Sequence, residues 1–281
     1  HHPTTRDPLS LHDALPICSY MRLNKYLRDA GFCSRREADR LIEAGRVQVD
    51  GRPAVTGMQI DVSSLVCVDG KEIRPEEKKV LLVYHKPKGV ECTADSRVKK
   101  NVIAAVDYPL RVYYAGRLDK DSKGLLLLTN RGELVNQMMK AGNFHEKEYE
   151  VVVDKPVSPE FLKAMGEGVP ILGTITRRCK VCKKVEKTFG IVLTQGLNRQ
   201  IRRMCQYLGY QVKSLKRLRI MNIELGDLQE GTWREATREE VLELEKLLKE
   251  ERPSGEEYRG GKPVKYAGKY RTPSGKRYGR R

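Results

Sequence analysis

Nowhere in the chain do apolar residues run for the ~18 positions that a membrane-crossing helix requires. No basic segment leading into an apolar, small-residue stretch of the secretory kind opens it either. A soluble, cytoplasmic protein without a membrane partner is the expectation. Cysteine is sparse and odd in number, seven scattered over 281 residues, so no disulfide framework is implied and reduced thiols are expected. Acidic residues are in deficit. The 37 Asp and Glu against 54 Lys and Arg leave a net charge of +17, with a pI near 9.6, the footprint of a protein that meets polyanions such as RNA, DNA or an anionic membrane surface. The length suits one main domain, a smaller one and flanks.

Residues 1–20 carry proline at positions 3, 8 and 16 and hold no sustained period. They read as a non-native or disordered leader with Met21 as the initiator, and the two leading histidines as a tag remnant or disordered end rather than a metal site. A small module spans 21–79. In it Leu23, Tyr26, Leu27 and Ala30 recur at helical spacing up to Gly31. Ser34 and Glu37 then form a capping-box pattern for a second helix ending near Gly45. The alternating "RVQV" and "SLVCV" each meet an Asp-Gly turn pair, at Asp50-Gly51 and Asp69-Gly70. The charged "KEIRPEEKK", residues 71–79, reads as a linker.

From Val80 to residue 251 strands and helices mix without a regular βαβ repeat, which predicts an α+β domain. "YEVVV" at 149–153 and "FGIVL" at 189–193 read as strands, "NRQIRRMCQYLG" at 198–209 as a helix, and Thr237 with Glu240 as the cap of a last helix. Residues 252–281 carry ten Lys or Arg against Glu256 and Glu257, with Gly, Pro and Ser between them. A disordered basic tail is expected.

Candidate chemistry sits in two places. In the module, Arg22, Lys25 and Arg28 are assigned to the first helix, and Arg35, Arg36 and Arg40 to the second. Such residues suit an RNA backbone, but interspersed acids suit a solvated helix face equally well. In the second domain, "GRLDKDSKGLLLLTNRG" sets Asp119 among Arg117, Leu118 and Lys120, just ahead of four consecutive leucines. A strand buried on both faces is predicted for the leucines, and a carboxylate fixed at its mouth needs a cation beside it. An ordinary surface ion pair remains the common alternative.

The order of residues resolves both. "RLNKYLRDAGFCSRREADRLIEAGRVQVDG" resembles the S4 (αL-like) RNA-binding domain. "GRLDKDSKGLLLLTNRGEL" resembles the Gly-Arg-Leu-Asp motif of pseudouridine synthases of the RsuA type, which carry an S4 domain ahead of the catalytic one. "KEYEV" around Tyr149 and "QGLNRQIRRM" at 195–204 follow in the family's order. "KPKG" at 86–89 matches a fourth element, with His85 where Asn is more usual. The resemblance implies an α+β fold with a mixed, mostly antiparallel sheet flanked by helices. It assigns Asp119 as the catalytic aspartate, Arg202 as its ion-pair partner and Tyr149 as the ring that packs on the target uracil. Without it, Tyr149 reads as a core strand residue.

The same resemblance places Arg117, Leu118, Lys120, Arg199, Gln200 and Ile201 along the RNA, implies neither cofactor nor metal, and points to ribosomal RNA as partner; a monomer is expected, although the sequence does not fix the oligomeric state. "NKYLRDAGFCSRREADR", "AGNFHEKEYEV", "GVPILGTITRRCKV" and "QGLNRQIRRMC" are most similar to the subgroup acting on 23S rRNA. A synthase acting on 16S rRNA or another 23S site, and a non-catalytic S4-type ribosome-binding factor, are the alternatives. Cys179 and Cys182 have the spacing of half a zinc site, but no second pair follows, so two small strand residues are expected. His145 beside Glu146 is expected in a structural or turn role rather than as a general base.

Overall fold

The computed structural model describes residues 20–61, 63–140 and 145–250. The expectations for the rest of the leader and for the basic tail lie outside the described residues. Contacts divide the chain between Glu77 and Lys78 into two compact units.

The first unit comprises β1 (Tyr20–Arg22), α1 (Leu23–Asp29), α2 (Arg35–Glu43), β2 (Val47–Val49), β3 (Arg52–Pro53), β4 (Gln59–Asp61), β5 (Val66–Val68) and β6 (Lys71–Glu72). Leu23, Tyr26 and Leu27 of α1 pack against Ala38, Leu41 and Ile42 of α2 over Val47, Val49, Val66 and Val68. The Ser34 hydroxyl accepts the Glu37 amide at 3.2 Å, one half of the expected capping box of α2, while the Glu37 carboxylate pairs with Arg40. Both residues of each Asp-Gly pair take left-handed backbone, with φ of 49° and 75° at Asp50-Gly51 and 50° and 74° at Asp69-Gly70. Such two-residue turns match the twist of hairpin strands; they join β2 to β3 and β5 to β6, and pairing of β2 with β5 completes the antiparallel order β3-β2-β5-β6.

Three details depart from expectation. Tyr20 pairs with Asp61, so pairing begins inside the predicted leader. Arg22 ends β1 and caps α1 rather than riding on the helix. The first part of the predicted linker is folded: Lys71 and Glu72 pair with Val68 and Cys67, and Ile73 is buried with its carbonyl accepting the Tyr26 hydroxyl at 3.0 Å. The Asp69-Gly70 turn sends the chain back along β5, and the high charge of the segment hides that return.

The second unit runs through β7 (Leu81–Lys86), α3 (Val102–Val106), β8 (Tyr113–Ala115), β9 (Lys123–Thr129), α4 (Gly132–Met139), β10 (Lys147–Val153), α5 (Pro159–Glu167), β11 (Pro170–Ile171) and β12 (Thr174–Ile175). It continues with β13 (Lys180–Val185), β14 (Thr188–Leu193), α6 (Gln200–Tyr207), β15 (Val212–Ile220), β16 (Ile223–Glu224), β17 (Trp233–Glu235) and α7 (Arg238–Lys249). One sheet has the order β13-β14-β10-β15-β9-β7-β17, with β8 also on β9 and β16 on β15. Every pairing between its strands is antiparallel except β9 with β15. The fold is α+β with a mixed, mostly antiparallel sheet.

The four leucines of β9 alternate between two cores, as successive side chains of a strand must. Leu125 and Leu127 join Leu134, Leu244 and Leu247 from α4 and α7, whereas Leu126 and Leu128 join Tyr84, Val102, Val106 and Leu118 on the opposite face. All four are fully buried, each worth roughly 1.5–3 kcal/mol. Thr237 and Glu240 form the expected reciprocal capping box of α7.

Candidate active site

Register places a row of residues side by side across five strands. Ile191 of β14 faces Tyr149 of β10, Tyr149 faces Arg217 of β15, Arg217 faces Gly124 of β9, and Gly124 faces Lys86 of β7. Residues far apart in sequence thus become neighbours at strand spacing. Gly124 has φ of 111°, and a Cβ there would lie 2.3 Å from the Arg217 carbonyl oxygen and 2.4 Å from its nitrogen. Only glycine lets β9 and β15 meet. Arg217 is 2% exposed; its Nε donates to the Leu125 carbonyl at 2.7 Å and its Nη1 to that of Arg117 at 3.4 Å. Lys86 is 0% exposed, its ammonium donating to the carbonyls of Pro87 and Val90, both at 2.8 Å.

The loop that carries Asp119 enters β9 beside this row and is tied down at several points. The Leu118 amide donates to the Cys92 sulfur at 3.4 Å, the Ser122 amide to the Asp119 carbonyl at 3.1 Å, and the Gly89 amide to the Lys120 carbonyl at 2.7 Å. Lys120 holds Glu91 at 2.7 Å. Leu118 is buried in the cluster with Val90, Cys92 and Leu126, and Tyr149 packs against that same cluster. An aromatic face and an apolar wall therefore flank the Asp119 loop.

Two carboxylates share two arginines here. Arg199 grips Asp121 with both ends of its guanidinium, at 3.1 and 3.0 Å. Arg202 reaches the Asp121 carboxylate at 3.4 Å, the Asp121 carbonyl at 3.1 Å and the Ser122 hydroxyl at 3.2 Å through Nη2. Asp119, with its side chain 33% exposed, stands 3.6 Å from Arg199 and 3.9 Å from the Nε of Arg202. These are ion pairs but not hydrogen bonds. The predicted pairing of Arg202 with Asp119 is present, yet the tighter partner of both arginines is Asp121. Hydrogen bonding from Arg199, with the charges of Arg202 and Arg199, holds the Asp121 carboxyl below the usual carboxylate range. Burial lowers the Lys86 ammonium below its ordinary value, against the upward pull of Cys92, Asp119 and Asp121. Burial, with the Arg217 charge, takes Lys147 down to about 8.

Several assignments change. Gln200 and Ile201, expected along the RNA, are core residues. The Gln200 amide folds inward to Leu197 and Met204, and Ile201 packs with Val151, Phe161 and Met204. The cause is local: Arg199 adopts left-handed backbone, φ 50°, as the cap of α6, and the next two side chains turn onto the apolar face. Leu118 is likewise buried wall. Arg117 and Lys120 are at least partly exposed, and Arg199 is exposed but occupied by Asp121. In the first unit Arg22, Arg35, Arg36 and Arg40 are exposed, with Arg40 paired to Glu37, whereas Lys25 is half-buried 3.8 Å from Asp29.

Cys179 is half-buried, bonded to the Met165 carbonyl at 3.3 Å, and burial pushes its thiol up to about 11; a thiol kept protonated is a poor metal ligand. His145 is buried against the Gln137 carbonyl at 3.2 Å. Asp121, Lys86, Arg217 and Lys147 are site neighbours that the sequence reading does not single out. Asp121 lies two positions beyond Asp119 in the same motif and Lys86 begins "KPKG", so both carry a signal; nothing in "SLKRLRI" separates Arg217 from its basic neighbours.

Comparison with known proteins gives a consistent picture. A family model described as RNA pseudouridylate synthase matches residues 80–207, and one described as S4 domain matches residues 21–66. The dual-specificity RNA pseudouridine synthase RluF of Escherichia coli (strain K12) is 50% identical over 82% of this chain and 80% of its own length. The ribosomal large subunit pseudouridine synthase B of Bacillus subtilis (strain 168) is 34% identical over 80% of this chain and 96% of its own. A crystal structure of a pseudouridylate synthase superposes with a TM-score of 0.58 at 28% identity, covering 81% of this chain and 99% of the other.

Proposed function

The chain belongs to the RNA pseudouridylate synthases, of the RluF type with an S4 domain, and from that we propose that it isomerises a defined uridine of 23S ribosomal RNA, acting as a monomer with Asp119 as the catalytic group. The observation that carries the assignment is the position of Asp119. It is a one-third exposed carboxylate at the mouth of a rigid buried strand, with two arginines within 4.0 Å and an aromatic face and apolar wall beside it.

Turning uridine into pseudouridine breaks the bond from the sugar carbon to the base nitrogen and forms one from the same carbon to carbon 5; carbon 5 releases its hydrogen as a proton, and the freed nitrogen takes up a proton. The change is redox-neutral. It needs a fixed anionic group at the sugar-base junction while the base turns. A uridine in folded RNA must first leave its stack, at a cost of a few kcal/mol, and the half-buried Tyr149, backed by the cluster that holds Leu118 and Leu126, offers the extruded base an aromatic surface. Arg202, with its Nε 3.9 Å away, offsets the desolvation of the carboxylate when the base covers it. The exposed arginines of the first unit, Arg35 and Arg36 foremost, supply phosphate contacts that position the RNA without reading its bases.

The test is tritium release from RNA labelled at uridine carbon 5. Asp119→Asn removes the charge and keeps the shape, so release falls to background while RNA binding and the melting temperature stay as in the parent. Substantial release by the variant overturns the assignment. Mapping pseudouridines in cells with and without the protein identifies the target. Because one relative is named a dual-specificity enzyme, total RNA is the proper sample. Loss of no 23S pseudouridine overturns the choice of substrate.

A further inference from the structure

Both arginines hold Asp121 more closely than Asp119. Arg199 spends both ends of its guanidinium on Asp121, and Arg202 spends Nη2 on Asp121 and Ser122. The Nε of Arg202 is buried and has no hydrogen-bond partner among the described residues, although it lies 3.9 Å from the Asp119 carboxylate. A buried N–H left unspent is uncommon, and this one is about 1 Å short of a hydrogen bond with Asp119.

From this geometry we infer that Asp121 is a positioning residue of the reaction: it engages Arg199 and one edge of Arg202, so that Asp119 meets the substrate without a closed ion pair and with the Nε of Arg202 in reserve. The inference rests on the reading of Asp119 given above. An arginine fork seeks a carboxylate with two oxygens, and Arg199 already stands 3.6 Å from Asp119. With the Asp121 charge gone, Asp119 is the remaining anion within reach of both guanidinium groups. A bidentate pair with Arg199 then occupies the oxygens that the substrate requires. The low-lying Asp121 carboxyl agrees with a residue that keeps its charge throughout.

The experiment compares the full-length parent with Asp121→Asn, Arg199→Met and the double variant, by tritium release under saturating and single-turnover conditions with melting temperatures alongside. Misplacement of a reacting group by about 1 Å costs about 10²-fold, so Asp121→Asn is expected to lower kcat about 10- to 100-fold with little change in KM. The double variant is expected to recover most of that loss, because the competing fork has been removed; such non-additivity is the mark of coupling. Asp121→Glu, which keeps the charge but moves the carboxylate, is expected to lower kcat at parental melting temperature and decides the matter if the Asn variant folds poorly. Unimpaired kcat in Asp121→Asn or in a folded Asp121→Glu, a loss confined to KM, or a double variant no faster than Asp121→Asn overturns the inference. An inactive parent, or an active Asp119→Asn, overturns the prior reading of Asp119 instead.

Discussion

Lys147 offers a quantitative test of how the core beside the site handles charge. It lies on β10 two residues before Tyr149, its ammonium donates to the His145 carbonyl at 3.3 Å, and the charge that acts on it is another cation, Arg217. Burial and that neighbour bring it from an ordinary 10.5 to about 8. A lysine whose folded-state pKa is depressed binds fewer protons when folded than when unfolded. Stability therefore carries a penalty that is fully present below about pH 8 and fades as pH rises towards 10.5. The depression corresponds to about 3 kcal/mol at most, and local relaxation makes about 1–3 kcal/mol a fair expectation. Lys147→Met keeps the length of the side chain and removes the charge. Chemical denaturation of the two proteins across this range should show the variant more stable near neutrality, with the advantage shrinking towards about pH 10.5 because the parent lysine is then neutral in both states. An advantage independent of pH, or one that grows with pH, would refute the claim that Lys147 is a half-buried group whose charge is held at a cost.

Gly124→Ala forces a Cβ to within 2.3 Å of the Arg217 backbone in a conformation that L-residues rarely adopt; a loss of roughly 3 kcal/mol or more and of tritium release is expected, and a parental melting temperature would contradict the geometry. Changing Arg35, Arg36 and Arg40 together to Glu should weaken binding of ribosomal RNA fragments and lower its salt dependence by about 0.7–0.9 in slope for each phosphate no longer neutralised, with melting temperature unchanged; equal affinity in filter binding would remove these residues from the RNA surface. Deleting residues 252–281, with their ten basic side chains, should likewise flatten the salt slope while leaving the saturated rate and the chosen uridine alone, as titrations at several salt concentrations would show.

Local rules govern what is legible in the sequence. Two-residue turns, helix caps and the doubly buried leucine strand depend on residues close in sequence, and each is found where the pattern puts it. Ile201 and Gln200 are misplaced by sequence because a basic motif invites an RNA contact for every member, whereas a helix that caps on a left-handed Arg199 must bury one stripe. The sharing of Arg202 between Asp119 and Asp121 is illegible for a different reason. Both aspartates lie on one short loop, and which of them an arginine some 80 positions away prefers depends on ångström differences that a spacing cannot encode.

The parallel seam explains why the site forms at this point in the sheet. β9 and β15 pair over only Lys123–Lys216 and Gly124–Arg217, after which β9 continues with β7 and β8 while β15 continues with β10 and β16. Arg217 fills the place where the strands part. Its backbone is in register with Tyr149, and its guanidinium donates to Leu125, one residue past the seam, and to Arg117, two residues before Asp119. One buried arginine thus refers the strand that carries Tyr149 and the main chain of the Asp119 loop to the same point. Burying a guanidinium is costly unless its N–H groups are satisfied; here backbone carbonyls of the very segments to be aligned meet Nε and Nη1, while the buried Nη2 has no hydrogen-bond partner among the described residues. The placement of Tyr149 relative to the Asp119 loop is therefore set by a buried side chain of the sheet, and by contacts to main chain that do not depend on the identity of the loop side chains.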